Sequence, residues 1–190
     1  TASGQILIDG VDIRDSSQHD LRERIGYVPQ KGILFSGDIN FNLLYGDSKA
    51  SNVDIKIAAD VAQATEFIEK MPEKFETPIA QGGSNVSGGQ KQRLSIARAL
   101  MKKAKIYIFD DSFSALDFKT DAALRKALKS YTANSTVLIV AQRVSTIMNA
   151  EQVIVLDEGR IVGKGTHKEL LKSCKEYKEI AISQLAKEEL

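Results

Sequence analysis

The sequence predicts an α/β fold: a mostly parallel sheet flanked by helices, with a smaller helix-rich part. Three observations carry this. Apolar runs of strand length, Ile106 to Phe109 and Thr136 to Val140 among them, alternate with segments of helical period. Two capping boxes, Ser51-x-x-Asp54 and Thr166-x-x-Glu169, mark helix starts. A hydrophobic content of 43% over 190 residues supplies a core for one domain, or for a core with a small subdomain.

The elements follow in order. Gln5 to Ile13 alternates around Asp9-Gly10 and reads as a β-hairpin. Arg24 to Val28 is a short strand ended by Pro29. Asp38 to Tyr45 fits a short helix stopped by Gly46. From Ser51 a helix runs to about Met71, with Ile55, Ala58, Ala59, Ala62, Thr65 and Ile68 as its apolar stripe. Pro72 to Ser84 reads as loop, and the helix-rich middle spans roughly Asp38 to Gly83. Gly88 to Lys102 is a helix burying Leu94, Ile96, Ala97 and Leu100. Lys105 to Phe109 is a buried strand. Phe118 to Tyr131 is a helix burying Ala122, Ala123, Leu124 and Leu128, and Thr136 to Val140 is a second buried strand. Gln152 to Leu156 and Arg160 to Val162 pair around Asp157-Glu158-Gly159, and the Thr166 box opens the closing helices.

Composition excludes several classes. With 26 basic and 25 acidic residues the net charge is +1, so no basic field draws nucleic acid. The single Cys174 rules out a disulfide framework and points to a reducing compartment. His19 and His167 are the only histidines, which disfavours a His-based metal site or a Ser-His-Asp triad. No apolar run reaches membrane-spanning length and no signal peptide is visible. The chain begins at Thr1 and enters a strand almost at once, which reads as a cut inside a larger chain.

Chemistry concentrates in two places. Ser87-Gly88-Gly89-Gln90 opens a helix, where free backbone N–H groups, a hydroxyl and a positive dipole end meet an anion. Neither glycine has a Cβ to hold a phosphate away. The apolar strand Ile106-Tyr107-Ile108-Phe109 ends in Asp110-Asp111, hard oxygen donors suited to Mg²⁺. Alone, Ser-Gly-Gly is an ordinary helix cap; beside Gln90-Lys91-Gln92-Arg93 and the acidic strand end it describes a site for a nucleoside triphosphate and its metal. Gly159 to Thr166 superficially suggests a phosphate loop, but the spacing is one residue short and Gly165 stands where Ser or Thr would bind Mg²⁺.

In this order the motifs resemble the nucleotide-binding domain of an ATP-binding-cassette (ABC) transporter of the exporter type, along all 190 residues. The resemblance implies a P-loop NTPase-like (RecA-like) core, at about 1–37 and 105–172, with a helical subdomain at about 38–104 and C-terminal helices at about 166–190. Asn85 to Arg93 resembles the ABC signature, implying that Ser87, Gly88, Gly89 and Gln90 touch the γ-phosphate of ATP held by a partner domain. Ile106 to Asp110 resembles Walker B, with Asp110 orienting the Mg²⁺ shell. Ser114-Ala115-Leu116-Asp117 resembles the D-loop at the dimer interface; Asp117 is also placed to cap the helix that follows. Tyr27-Val28-Pro29-Gln30 resembles the Q-loop, with Gln30 reaching metal, attacking water and transmembrane domains. Thr77 to Gly83 resembles the exporter X-loop, with Gln81 in place of the usual acid.

Two further positions depart from the family. Asp111 stands where the catalytic Glu belongs, and it is shorter by one methylene, about 1.5 Å. Loss of a positioned base costs about 10²–10⁴ in rate. Gln142, in Val140-Ala141-Gln142-Arg143, stands where the family has its switch histidine; an amide can donate to a phosphate oxygen but cannot titrate. Together they suggest the degenerate half of a heterodimeric exporter: Asp110, Asp111, Gln142 and Gln30 line a weakly hydrolysing site, while Ser87-Gly88-Gly89 completes the partner's competent one. The implied partners are a second nucleotide-binding domain and transmembrane domains at the cytoplasmic face of the cell membrane. Two alternatives remain: a homodimeric ATPase with Asp111 as base, or a soluble ABC ATPase outside transport. No Walker A loop or adenine-stacking aromatic precedes these motifs in the sequence, so weak or no ATP binding by this chain alone, uncovered strand edges, and dimerisation, swapping or poor solubility are expected.

Overall fold

A computed structural model describes residues 3–185, which fall into two compact units divided after Val140. In chain order the first unit holds β1 (Leu7–Ile8), β2 (Val11–Asp12), α1 (Gln18–Glu23), β3 (Ile25–Val28), β4 (Gly37–Asp38), α2 (Ile39–Leu44), α3 (Asn52–Val61), α4 (Thr65–Glu69), β5 (Pro78–Ile79), α5 (Gly88–Met101), β6 (Ile106–Asp110), α6 (Phe118–Tyr131) and β7 (Thr136–Val140). Its sheet is parallel, in the order β3-β6-β7, with Val28 opposite Phe109 and Asp110 opposite Val140.

Local chemistry accounts for most boundaries. The β1–β2 turn places Asp9 and Gly10 at φ 51° and 80°, the two positive values of a type I′ hairpin. Leu94, Ile96, Ala97 and Leu100 of α5 are fully buried, as their spacing predicts. Strand β3 lies close under α5. A Cβ on Gly26 would come within 2.7 Å of the Tyr107 ring and 3.1 Å of the Ala99 carbonyl, so only glycine fits.

Four sequence expectations are corrected. The helix from Ser51 is two helices: Gln63 turns left-handed at φ 55°, and the Ala64 N–H reaches back to the Ala59 carbonyl at 2.8 Å. That kink buries both Ala62 and Ala64 completely, a gain that propensity does not foresee. Within the segment read as loop, Pro78–Ile79 pairs antiparallel with Gly37–Asp38. On α6, Ala122 is exposed and Asp121 takes its inward place, bonded to Arg125 one turn on; Leu124 and Leu128 lie on the face with Asp121, and 100° per residue carries 122 off it. Finally β7 is not buried. It pairs only with β6 among the described residues, and Val137, Leu138 and Val140 are 39%, 53% and 51% exposed. Helix α1, unpredicted, carries its own signal: Ser17 accepts from the Asp20 N–H.

The second unit holds α7 (Val144–Ile147), β8 (Val153–Asp157), β9 (Arg160–Gly165), α8 (His167–Ser173) and α9 (Lys175–Gln184). The β8–β9 hairpin turns through Glu158 and Gly159 at φ 45° and 76°. Its core gathers Val144, Val153, Val155, Leu170, Cys174, Tyr177 and Ala181. The Thr166 box caps α8 as expected, and His167 Nδ1 lies 2.7 Å from the Tyr177 hydroxyl. The last part of the expected C-terminal helices, 186–190, lies outside the described residues.

Candidate functional site

Parallel strands deliver their C-terminal ends to one edge of a sheet, and three predicted residues meet at the ends of β3 and β6. Asp110 closes β6. The Tyr27 hydroxyl, on the same sheet face from β3, donates to Asp110 Oδ2 at 3.0 Å, and that bond pushes the phenol pKa up. Asp111 turns left-handed at φ 44°, a conformation Asp tolerates better than most residues. Its N–H donates to the Val140 carbonyl at 2.9 Å, its side chain is buried, and Gln30 Nε2 donates to Asp111 Oδ2 at 3.2 Å. The Gln30–Asp111 contact joins two residues 81 positions apart that sequence reasoning had assigned to one site. Ser112 ties the strand ends together by donating to the Val28 carbonyl at 3.0 Å.

The start of α5 forms the second cluster. Ser87 Oγ accepts from the Gln90 N–H at 3.2 Å, and Gln90 Oε1 accepts from the Ser87 N–H at 2.9 Å, a full capping box. The bonds explain why Ser and Gln stand there whatever else they do. Gly88 and Gly89 are the first two helical residues, whose N–H groups have no acceptor within the helix. They differ in surroundings. A Cβ on Gly88 would meet nothing within 4 Å, while one on Gly89 would lie 3.3 Å from the Ala115 carbonyl. The glycine corner therefore abuts the 114–117 segment. There Asp117 caps α6: its Oδ1 accepts from the Thr120 N–H at 2.9 Å and its Oδ2 from the Thr120 hydroxyl at 2.7 Å. These bonds, the backbone one foremost, hold the Asp117 carboxyl below its ordinary pKa. Arg93 packs over the Phe67 ring at 4.6 Å and donates to the Gln63 carbonyl at 2.7 Å, joining α5 to the helical kink.

Gln92, inside the signature-like segment, has a structural task of its own. It is 2% exposed, its Nε2 donates to the Pro29 carbonyl at 3.1 Å, and its Oε1 accepts from the Gly32 N–H at 2.9 Å. It grips the backbone on both sides of Gln30. The available signal was a polar side chain on the inward stripe of an amphipathic helix. Gln81 is exposed in a turn whose Gly82 and Gly83 are left-handed, and Asn85 binds this segment at Ala80 N–H and Pro78 O, 2.9 and 2.8 Å away. Gln142 lies in the second unit, exposed, with its carbonyl accepting from Gln184 Nε2 at 2.9 Å. Gly159 to Gly165 is a hairpin turn and strand, as anticipated for a segment that does not cradle phosphate.

Among the described residues no three His, Cys, Asp or Glu side chains group as a metal cage. The adjacent carboxylates of Asp110 and Asp111 fit instead an Mg²⁺ bound by one or two carboxylates, water and phosphate. The open face of Gly88 fits an anion arriving from outside this chain.

Comparison with known proteins gives the family and the fold. The family profile described as "ABC transporter" matches residues 1–114. An uncharacterized ABC transporter ATP-binding protein, YfiB of Bacillus subtilis, is 46% identical over 186 residues, covering 98% of this chain and 32% of the relative. An ATP-dependent lipid A-core flippase of Desulfotalea psychrophila is 45% identical over 174 residues, covering 92% and 30%. A bacterial Atm1-family ABC exporter solved with ATP bound superposes with a TM-score of 0.93 at 37% identity, covering 97% of this chain and 33% of that one. The P-loop NTPase-like fold class expected from the sequence is the one observed. The chain spans about a third of the length of the curated relatives it matches.

Proposed function

The chain belongs to the ABC transporter family, and from that premise we propose that it is the ATP-binding domain of an exporter whose own site is blunted and whose signature serves a partner. The observation that carries this reading is the glycine corner. Ser87 is fixed by its capping box, Gly89 is pressed on the D-loop segment, and Gly88 faces open space where a facing protomer's nucleotide can approach. In this reading the helical part is 38–104 and the core strands carry the chain's own site.

In that site Asp110 orients the Mg²⁺ shell, Gln30 contacts metal and water, and Gln142 offers a neutral amide to the γ-phosphate. The metal supplies charge neutralisation at the phosphates. Asp111 is the weak element, since its short carboxylate is buried and engaged by Gln30. Partners are a second nucleotide-binding domain, differing at the catalytic Glu and switch His, and transmembrane domains at the cytoplasmic membrane face. Nucleotide-driven closure of the pair then drives export, with a lipid-like cargo suggested by the flippase relatives. The test is steady-state ATP hydrolysis by the assembled transporter. Asp111→Glu combined with Gln142→His should add turnover at this chain's site, and no gain contradicts the blunted-site reading.

A second reading has one observation in its favour. Gln30 lies in hydrogen-bond reach of Asp111, so this carboxylate sits beside the residue expected to hold the attacking water. Asp111 is then the base of a homodimeric ATPase. A homodimer whose turnover falls 10²-fold or more (about the share a base supplies) in Asp111→Asn would establish it.

A further inference from the structure

The second unit contains a polar contact that none of the motifs explains. Gln184, in the last turn of α9, uses both ends of its amide on one short stretch of backbone. Its Oε1 accepts from the Val144 N–H at 2.8 Å, and its Nε2 donates to the Gln142 carbonyl at 2.9 Å. Val144 is the first residue of α7, where N–H groups lack intrahelical acceptors, and Arg143 before it supplies no side-chain cap. A glutamine 40 residues away therefore provides that cap. Its donor end does something a cap does not require: it fixes the carbonyl of the residue at the switch position.

Both partners of this grip are anchored. Val144 is 2% exposed and Ala181, one turn before Gln184, is fully buried in the same apolar cluster with Tyr177. The amide is thus held against a loop whose far side is already seated. The chemistry is specific to glutamine: Glu keeps the acceptor but turns a carboxylate oxygen on a carbonyl, and Asn is about 1.5 Å short.

We infer that Gln184 is a positioning residue, a two-point clamp by which the C-terminal helix sets the Gln142 loop and so tunes ATP affinity at this chain's own site. The inference rests on the reading of Gln142 as a γ-phosphate contact. It makes the end of α9 a lever on that site.

The experiment uses the full-length subunit assembled with its partner, with ATP as the probe and affinity at this site read by nucleotide crosslinking. Amide hydrogen exchange at Val144 is followed in parallel. Gln184→Ala should weaken ATP about three- to tenfold and speed Val144 exchange, as expected for losing two hydrogen bonds that seat the loop. Gln184→Glu decides the role. A helix cap alone is served as well by a carboxylate, so a merely structural residue predicts affinity like the parent; the clamp predicts weakening equal to Ala or worse. Either change added to Gln142→Ala should weaken binding no further. Parent-like affinity in Gln184→Ala, with Gln142→Ala impaired, overturns the clamp. Parent-like affinity in Gln142→Ala overturns the reading of Gln142 and, with it, the clamp's role in nucleotide binding. Val144 exchange unchanged in Gln184→Ala overturns the clamp by itself.

Discussion

Replacing Gln92 by Met removes two hydrogen bonds and almost no volume. Gln92 is 2% exposed and holds Pro29 O at 3.1 Å and Gly32 N–H at 2.9 Å. In Gln92→Met both backbone groups lose that partner beneath a packed helix, at about 1–3 kcal/mol each. Partial re-solvation at the half-buried loop keeps the total near the lower end, about 2–4 kcal/mol, a large share of the 5–15 kcal/mol typical of a domain. Urea titration of the domain gives the loss, and hydrogen exchange localises it: protection at the Gly32 amide should fall while the β6–β7 amides of the sheet follow only the global loss. Because Gln30 rides on the clamped segment, turnover in the assembled transporter should fall too. A Met variant within about 0.5 kcal/mol of the parent, with Gly32 still protected, would refute the reasoning, since that is the range of an inconsequential surface change.

Two further outcomes follow from the same geometry. Gly88→Ala should leave stability equal or raise it by up to about 1 kcal/mol, because an alanine suits a helix and its Cβ meets nothing within 4 Å in this chain. ATP turnover of the assembled dimer should nonetheless drop, and parent-like turnover in that variant argues that no phosphate approaches this corner. Tyr107 gives a pH signature. Burial pushes its pKa up from 10.0 to about 12. The neutral phenol favours the fold, so this contribution is whole below the unfolded value and is lost as pH rises from 10.0 toward about 12. The Tyr107 share of the fall in unfolding free energy is therefore about 1.4 kcal/mol per pH unit across that window, and the slope should be shallower by that amount in Tyr107→Phe.

The sequence was legible where local rules and burial agree. The Asp9-Gly10 turn, the Ser51 and Thr166 boxes and the inward face of α5 are all as expected, because turn chemistry, capping and a 3.6-residue period each leave a local trace. It failed where a tertiary contact decides. Gln63 turns left-handed so that two alanines can be buried, which no window of residues announces. Strand β7 is as apolar as a core strand, yet its exposure depends on what lies beside it. At the candidate site, residue types and spacing named Asp110, Asp111 and the glycine corner, and resemblance to the family named Gln30. The tying roles of Tyr27, Ser112, Gln92 and Gln184 escaped notice because their partners lie 83, 84, 63 and 42 positions away.

The central claim is an asymmetry: the chain gives more to its partner's site than to its own. ATP hydrolysis by the complete transporter tests it through two variants of this chain, Gly89→Asp in the signature and Asp111→Asn at the strand end. The account predicts that the signature variant removes nearly all turnover and the Asp111 variant the smaller share. The opposite order, with Asp111→Asn the more damaging, would contradict it.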